Sequence, residues 1–281
     1  MRFGLIGTAV LAGTILAAAD ARAQLSSPQW TTCTGKAGVD WKEQIKSCTI
    51  LIASSFETAD NRAIAYVRRG IAYNNEGELD NAIVDYGEAI KTRPNHAEAY
   101  YNRGNAYLSK GDNAKAITDF DSAIAIDIKN AAAYRSRGLA YLYSGNSSKA
   151  LADIEEASKL NPHDPYSAIW ADIVAQRAKA PSPLQQALSQ LRSQTWPAPV
   201  IRMFLGQIKP DALLTAAEDP DATKKQGKMC EAQFYSGEWV LRSGDKGEAT
   251  RLFKLAANAC PKDFLEWTAA NAELKALGAA P

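Results

Sequence analysis

The chain's 281 residues suffice for one long or two ordinary domains, and its 46% hydrophobic content is that of a globular protein. Its 32 basic and 31 acidic side chains nearly cancel. That balance gives no electrostatic footing for binding nucleic acid or an anionic membrane surface.

The first residues carry an export signature. Arg2 supplies a positive start, residues 3–19 are apolar and uncharged, and Ala21-Arg22-Ala23 sets small residues at the two positions a signal peptidase reads. Residues 1–23 therefore read as a cleavable signal peptide, cut after Ala23. The run is shorter than the ~20 residues a bilayer crossing needs. No cysteine follows the cut to carry a lipid, and no later segment is apolar enough to span a membrane. Four cysteines, Cys33, Cys48, Cys230 and Cys260, lie beyond it. An even number in an exported chain suggests disulfides, with three possible pairings. Residues 24–62 form an N-terminal cysteine-containing segment, in which 41–56 reads as a capping helix.

Residues 63–164 repeat with a period of 34. From Ala63 the series is Tyr66, Gly70, Tyr73, Gly77, Ala82, Tyr86, Ala89, Pro94. From Ala97 the same offsets hold Tyr100, Gly104, Tyr107, Gly111, Ala116, Phe120, Ala123 and Ile128. From Ala131 they hold Tyr134, Gly138, Tyr141, Gly145, Ala150, Ile154, Ala157 and Pro162. The pattern resembles the tetratricopeptide repeat, a pair of antiparallel helices. Gly70, Gly104 and Gly138 fall where the paired helices press together. Gly77, Gly111 and Gly145 fall at the turn, where a left-handed backbone suits glycine. Each hairpin leaves an apolar face that the next one covers, so a solenoid with concave and convex sides is expected. Arg69, Arg103 and Arg137 are each followed 16 residues later by Asp85, Asp119 and Asp153. An ion pair that recurs with the period of the fold reads as architecture, not as a row of catalytic acids.

Residues 165–229 lose the pattern. A helix is expected from 167 to 176, short helices at 184–191 and 210–217, breaks at Ala180-Pro181-Ser182-Pro183 and Trp196-Pro197-Ala198-Pro199, and a further helix starting at Asp219-Pro220, an irregular run that lets the fourth unit pack back at an angle. The repeat returns over 230–281: Gly237, Gly244, Ala249, Phe253, Ala256 and Pro261 mark a fourth unit, followed by a capping helix at 264–277. Ser236 and Leu252 stand where the earlier units have arginine and aspartate. The expected fold is thus all-α: three tandem repeats, an irregular helical middle, and a fourth repeat with its cap. Antiparallel packing of the fourth hairpin favours a Cys230–Cys260 bridge, which leaves Cys33 with Cys48.

The order of parts after the repeats resembles the bacterial cell-envelope lipoprotein family called new lipoprotein I. The resemblance covers roughly residues 60–278. It rests on Asp164-Pro165-Tyr166, Ile169-Trp170, Phe204-Leu205-Gly206, Phe234-Tyr235-Ser236-Gly237, Gly244-Asp245, Leu252-Phe253-Lys254-Leu255-Ala256 and Ala272-Glu273-Leu274-Lys275. It implies a periplasmic, homodimeric adaptor that docks peptidoglycan hydrolases and delivers substrates to a tail-specific protease. The chain departs from the family in lacking a lipid-bearing cysteine and in its N-terminal cysteine segment.

Enzyme chemistry finds little support. His96 and His163 both fall in loops between repeats, where solvated positions are expected. The cysteines lack the close spacing of a zinc site, no phosphate-cradling glycine loop is present, and 181–227 holds no histidine or cysteine. No cofactor and no metal site are expected. The first helices of the repeats should line the inner groove, with Val67, Ile71 and Asn74 from the first unit, Tyr101, Asn102 and Asn105 from the second, and Arg135, Leu139 and Tyr143 from the third. Amides that bond a peptide backbone and rigid tyrosines suit an extended peptide or protein partner. The carboxylate clamp of co-chaperone repeats is not expected, because its offsets hold Val67, Ile71, Asn102, Ala132 and Ser136. The leading reading is a non-enzymatic periplasmic adaptor. A fixed subunit of a secretion or pilus assembly is the alternative, and a hydrolase in the middle segment is a weaker one.

Overall fold

The computed structural model describes residues 27–35, 40–186 and 195–280. The signal segment 1–23 lies outside them. Among the described residues regular structure is helical throughout: α1 (Pro28–Cys33), α2 (Trp41–Ala53), α3 (Ala59–Glu76), α4 (Leu79–Thr92), α5 (Ala97–Ser109), α6 (Asn113–Ile126), α7 (Ala131–Tyr143), α8 (Ser147–Leu160), α9 (Pro165–Ala178), α10 (Ala198–Phe204), α11 (Pro210–Ala216), α12 (Ala222–Arg242), α13 (Lys246–Ala259) and α14 (Leu265–Ala276).

Pairs α3/α4, α5/α6, α7/α8 and α12/α13 are antiparallel hairpins. Their turns are made by Gly77, Gly111, Gly145 and Gly244, all with φ between 76° and 90°, where a side chain would be strained. Asp112, Asn146 and Asp245 cap the helix after the turn by accepting a backbone N–H three residues on. Close approach within each hairpin depends on a second glycine. A Cβ at Gly70, Gly104, Gly138 or Gly237 would lie 2.6–2.9 Å from Tyr86, Phe120, Ile154 or Phe253. These large side chains of the second helix are buried at 2% exposure or less, so the glycine serves a packed ring or branched chain rather than bare backbone contact.

The expected ladder of ion pairs is present. Arg69 donates to both oxygens of Asp85 (2.7 and 2.7 Å), Arg103 to Asp119 (2.8 and 2.8 Å), and Arg137 to Asp153 (2.8 and 2.7 Å). Tyr66, Tyr100 and Tyr134 each stand under the guanidinium of their own unit, 5.4–5.7 Å from ring centre to charge. In the fourth hairpin Ser236 and Leu252 are buried instead, and apolar packing replaces the ion pair.

The structure moves several expected boundaries. α3 begins at Ala59, a turn before Ala63, because Thr58 accepts the Asn61 N–H as an N-cap. α12 begins at Ala222 behind the Asp221 cap, close to the expected start at Asp219-Pro220 and ahead of the repeat that returns at 230, so Cys230 lies two turns inside its helix. The helix expected at 184–191 is described only from 184 to 186; the rest falls outside the described residues. Cys33–Cys48 and Cys230–Cys260 are both bonded.

The largest correction concerns the concave side. α3, α5 and α7 form an inner wall as expected, but it does not face empty solvent. The fourth hairpin packs back, as the irregular middle segment allows, but far enough to share one core with the second and third repeats, from Leu108 through Trp170 and Phe234 to Leu274. Trp170 of α9 meets Phe234 at 5.5 Å and Tyr235 at 6.3 Å between ring centres. α14 then lies against α5 and α7, where Ser109 and Thr268 share a hydrogen bond of 2.9 Å. Ahead of it, Lys262 Nζ donates to the Glu76 carbonyl (3.1 Å), across to the first repeat.

Candidate functional site

What remains of the groove is a cleft of about 490 Å³ between the repeat wall and the segment 262–268. On the wall stand Ile71, Asn74 and Asn75 of α3, Tyr101, Asn102 and Asn105 of α5, and Arg135 of α7. Six of the nine residues expected in the groove therefore line this one cleft. Val67 and Leu139 do not: at 1% and 0% exposure they belong to the core. Both lie on helix faces turned toward a packed neighbour, and their apolar character was the available sign. Tyr143 lines a second groove of about 680 Å³ instead, with Leu108, Leu142, Trp267 and Lys275.

The opposite side of the cleft holds residues that repeat offsets do not reveal. Tyr166 and Trp170 come from α9, Glu231 from α12, Phe264 from the cap of α14, and Leu265 and Glu266 from its first turn. Glu231 accepts from the Tyr166 hydroxyl (3.1 and 2.9 Å) and from Trp196 Nε1 (2.8 Å). Glu266 accepts from the Tyr235 hydroxyl (2.6 Å). Among the described residues neither carboxyl has an ion-pair partner within 4 Å. Burial, then the charge of Glu266, pushes the Glu231 carboxyl up to about 7, against the pull of the Trp196 and Tyr166 hydrogen bonds. Burial raises Glu266 as well. The sequence held one sign of this: glutamates at 231, 238, 266 and 273, spaced seven apart on each helix, sit among apolar residues.

Two polar atoms of the wall, Asn105 Oδ1 and Arg135 Nε, are buried without a hydrogen-bond partner among the described residues. Arg135 is held by Asp164 through Nη1 (2.7 Å), and Asp164 in turn takes Ser167 Oγ (2.8 Å). The cleft thus offers an amide acceptor, a guanidinium N–H, carboxyls and tyrosine rings. His163 is exposed, as expected of a loop residue, whereas His96 is half-buried; burial lowers its pKa, and its Nε2 has no hydrogen-bond partner among the described residues. No group of three or more histidine, cysteine or acidic residues that could hold a metal occurs among the described residues. Nor is any described helix long and apolar enough to cross a membrane.

Residues 70–111 and 104–145 match the family model described as TPR repeat, and residues 131–164 match the one described as tetratricopeptide repeat. Among solved structures, a tetratricopeptide repeat protein from Parabacteroides merdae ATCC 43184 aligns with a TM-score of 0.54 at 15% identity. It covers 85% of this chain and 93% of its own. MamA aligns with a TM-score of 0.51 at 21% identity, over 58% of this chain and 94% of its own. The OM64 TPR domain of Arabidopsis is 27% identical over 42% of this chain and 98% of its own, with a TM-score of 0.42. Residues 70–164 thus carry tetratricopeptide repeats, and the fold is an all-helical tetratricopeptide solenoid. Such repeats are an interaction scaffold for proteins and peptides, a non-catalytic class.

Proposed function

We propose that this chain is an exported, non-enzymatic adaptor that grips an extended segment of another cell-envelope protein in the cleft of about 490 Å³. One observation carries the reading. Asn105 Oδ1 and Arg135 Nε, both buried on the cleft wall, have no hydrogen-bond partner among the described residues. An unmade hydrogen bond at a buried polar atom costs about 1–3 kcal/mol, and a bound peptide backbone supplies the missing N–H and C=O. Asn74, Asn102 and Tyr101 beside them add amide contacts and a rigid ring of the kind peptide grooves use. The secretory signal read at 1–23 and the bridges Cys33–Cys48 and Cys230–Cys260 fit an oxidising compartment, here the periplasm. The new lipoprotein I resemblance makes peptidoglycan hydrolases and a tail-specific protease the first partners to try.

The test is crosslinking in intact cells and capture from envelope extract with the mature chain. Tyr101→Ala with Asn102→Ala is expected to reduce capture several-fold while the melting temperature holds within a few degrees. Val84→Ala, at an exposed position on α4, is the control and should capture normally. Capture by Tyr101→Ala/Asn102→Ala equal to wild type would place the partner elsewhere and overturn the reading.

A further inference from the structure

Four buried glutamates face one another between α12 and α14. Glu231 and Glu238 stand seven residues apart on α12, Glu266 and Glu273 seven apart on α14, and each is at most 8% exposed. They form two carboxyl pairs, one level with the cleft and one a turn or two further along. Around Glu231 and Glu266 lie Tyr166 of α9, Trp196 ahead of α10, and Tyr235 of α12, all as hydrogen-bond donors. Arg135 of α7 is the nearby cation, and Asp164 already takes its charge. Glu238 and Glu273 share a single guanidinium, Arg177 Nη2 of α9, at 2.9 and 2.7 Å. Tyr143 of α7 adjoins them. The neighbouring Arg242 is spent on Asp172.

Among the described residues four carboxyls therefore meet one guanidinium, so full ionisation would leave three buried negative charges unmatched there. Two carboxyls in one desolvated site do not both ionise readily; they hold a proton between them. Burial, followed by the charge of Glu238, pushes Glu273 up to about 7, level with Glu231. One member of each pair rides on α14, the helix that rests on α5 and α7 and whose first turn walls the cleft.

We propose that α14 is a proton-operated lid on the cleft: carboxyl pairs that keep a proton seat it against α5 and α7, and their ionisation loosens it as the medium passes from mildly acidic to mildly alkaline. The consequence for partner access rests on the adaptor reading; the lid itself does not. A lid held by protons makes the surface under α14, including Ser109 and Tyr143, more open at pH 8 than at pH 6.

The experiment is hydrogen exchange followed by mass spectrometry on the mature, disulfide-bonded chain at pH 6 and pH 8, corrected for the intrinsic pH dependence of exchange. Protection of α14 is expected to fall about tenfold for each glutamate that ionises, while α3 and α4 hold theirs. E231Q/E273Q keeps the side-chain shape and cannot ionise at those two positions, so its α14 protection should be nearly level between the two pH values. If that double variant fails to fold, E231Q and E273Q singly should each remove about half of the logarithmic change, and the wild-type profile decides in any case. Equal wild-type protection at pH 6 and 8 overturns the lid, as does a foldable glutamine variant as steep as wild type. Partner capture is measured in parallel: a moving α14 with no capture removes the adaptor reading alone, and capture over an α14 indifferent to pH removes the lid alone.

Discussion

The Tyr166 hydroxyl reaches both oxygens of Glu231, at 3.1 and 2.9 Å, and so ties α9 to α12 across 65 residues of sequence. This bond favours the charged carboxylate, which burial otherwise disfavours. Its removal has a direction in pH. Glu231 has an ordinary value near 4.5 and is pushed up to about 7 in the folded chain. The folded state therefore binds the proton more tightly than the unfolded one. The resulting stability is complete below about pH 4.5 and is lost as pH rises through 7. Wild type should melt at a lower temperature at pH 8 than at pH 5.5. Tyr166→Phe leaves the carboxylate with Trp196 alone and should cost about 1–3 kcal/mol, more at pH 8 than at pH 5.5. Thermal melts of both proteins at both pH values check the sign; a variant penalty that shrinks with rising pH would contradict it.

The two glycines of a hairpin are not equivalent, and a pair of alanine substitutions separates them. At Gly104 a Cβ would sit 2.7 Å from the Phe120 ring, which is fully buried. Gly104→Ala forces that ring into neighbours that are already packed, at about 1–3 kcal/mol. At Gly145 a Cβ meets nothing within 4 Å among the described residues, and the cost comes from φ at +78°, about 1 kcal/mol. Gly104→Ala should therefore lower the urea midpoint by more than Gly145→Ala does.

The Arg–Asp ladder predicts unequal costs along the repeats. Arg103 has Asp119 as its carboxylate partner, whereas Arg137 bonds Asp153 and also Asp121 at 2.5 Å. Asp119→Ala strands a half-buried guanidinium and should cost about 3 kcal/mol. Asp153→Ala leaves Arg137 with Asp121 and should cost less. Replacing both members, as Arg103→Met with Asp119→Leu, should recover most of the loss, since well-packed apolar side chains often match a buried pair. Denaturant unfolding of the three variants gives the order directly.

The repeats could be read from sequence because each rule recurs locally: glycine at the turn, a small residue under a large one, and an ion pair at a fixed offset. Those signals depend on neighbours within 34 residues. The cleft could be read only in part. Ile71, Asn74, Tyr101, Asn102, Asn105 and Arg135 share a face because helical spacing says so. Tyr166, Glu231 and Glu266 reach the same cavity through long-range packing of α12 and α14, which no periodicity encodes. Leu139 was misplaced for the same reason, since it joins the core that α12 and α14 complete, whereas Val67 is covered nearer by, against Ala82 and Tyr86 of its own repeat and Ala99 and Ala106 of the next. A first-helix offset marks the inward side of an ideal solenoid, and the angle at which the next helix arrives decides whether that side is open or filled.

The two disulfides should differ in what their loss releases. Cys230–Cys260 closes 30 residues around the fourth hairpin, inside the core that runs from Leu108 to Leu274. In the loop-entropy picture its removal costs roughly 3–4 kcal/mol. Cys230→Ser with Cys260→Ser should therefore lower the melting temperature of the chain as a whole. Cys33–Cys48 closes 15 residues and is worth about 3 kcal/mol by the same relation. It lies in a small separate cluster with Trp30, Leu51 and Ala65, anchored by Trp30 Nε1 to Glu57 (2.9 Å) and Gln44 Nε2 to the Cys33 carbonyl (2.8 Å). Its loss should fray α1 and α2 while α5 to α14 keep their stability. Calorimetry paired with hydrogen exchange resolves the two cases: a Cys33→Ser/Cys48→Ser variant that loses protection in α7 or α12 would mean that the N-terminal cap and the main core unfold as one unit.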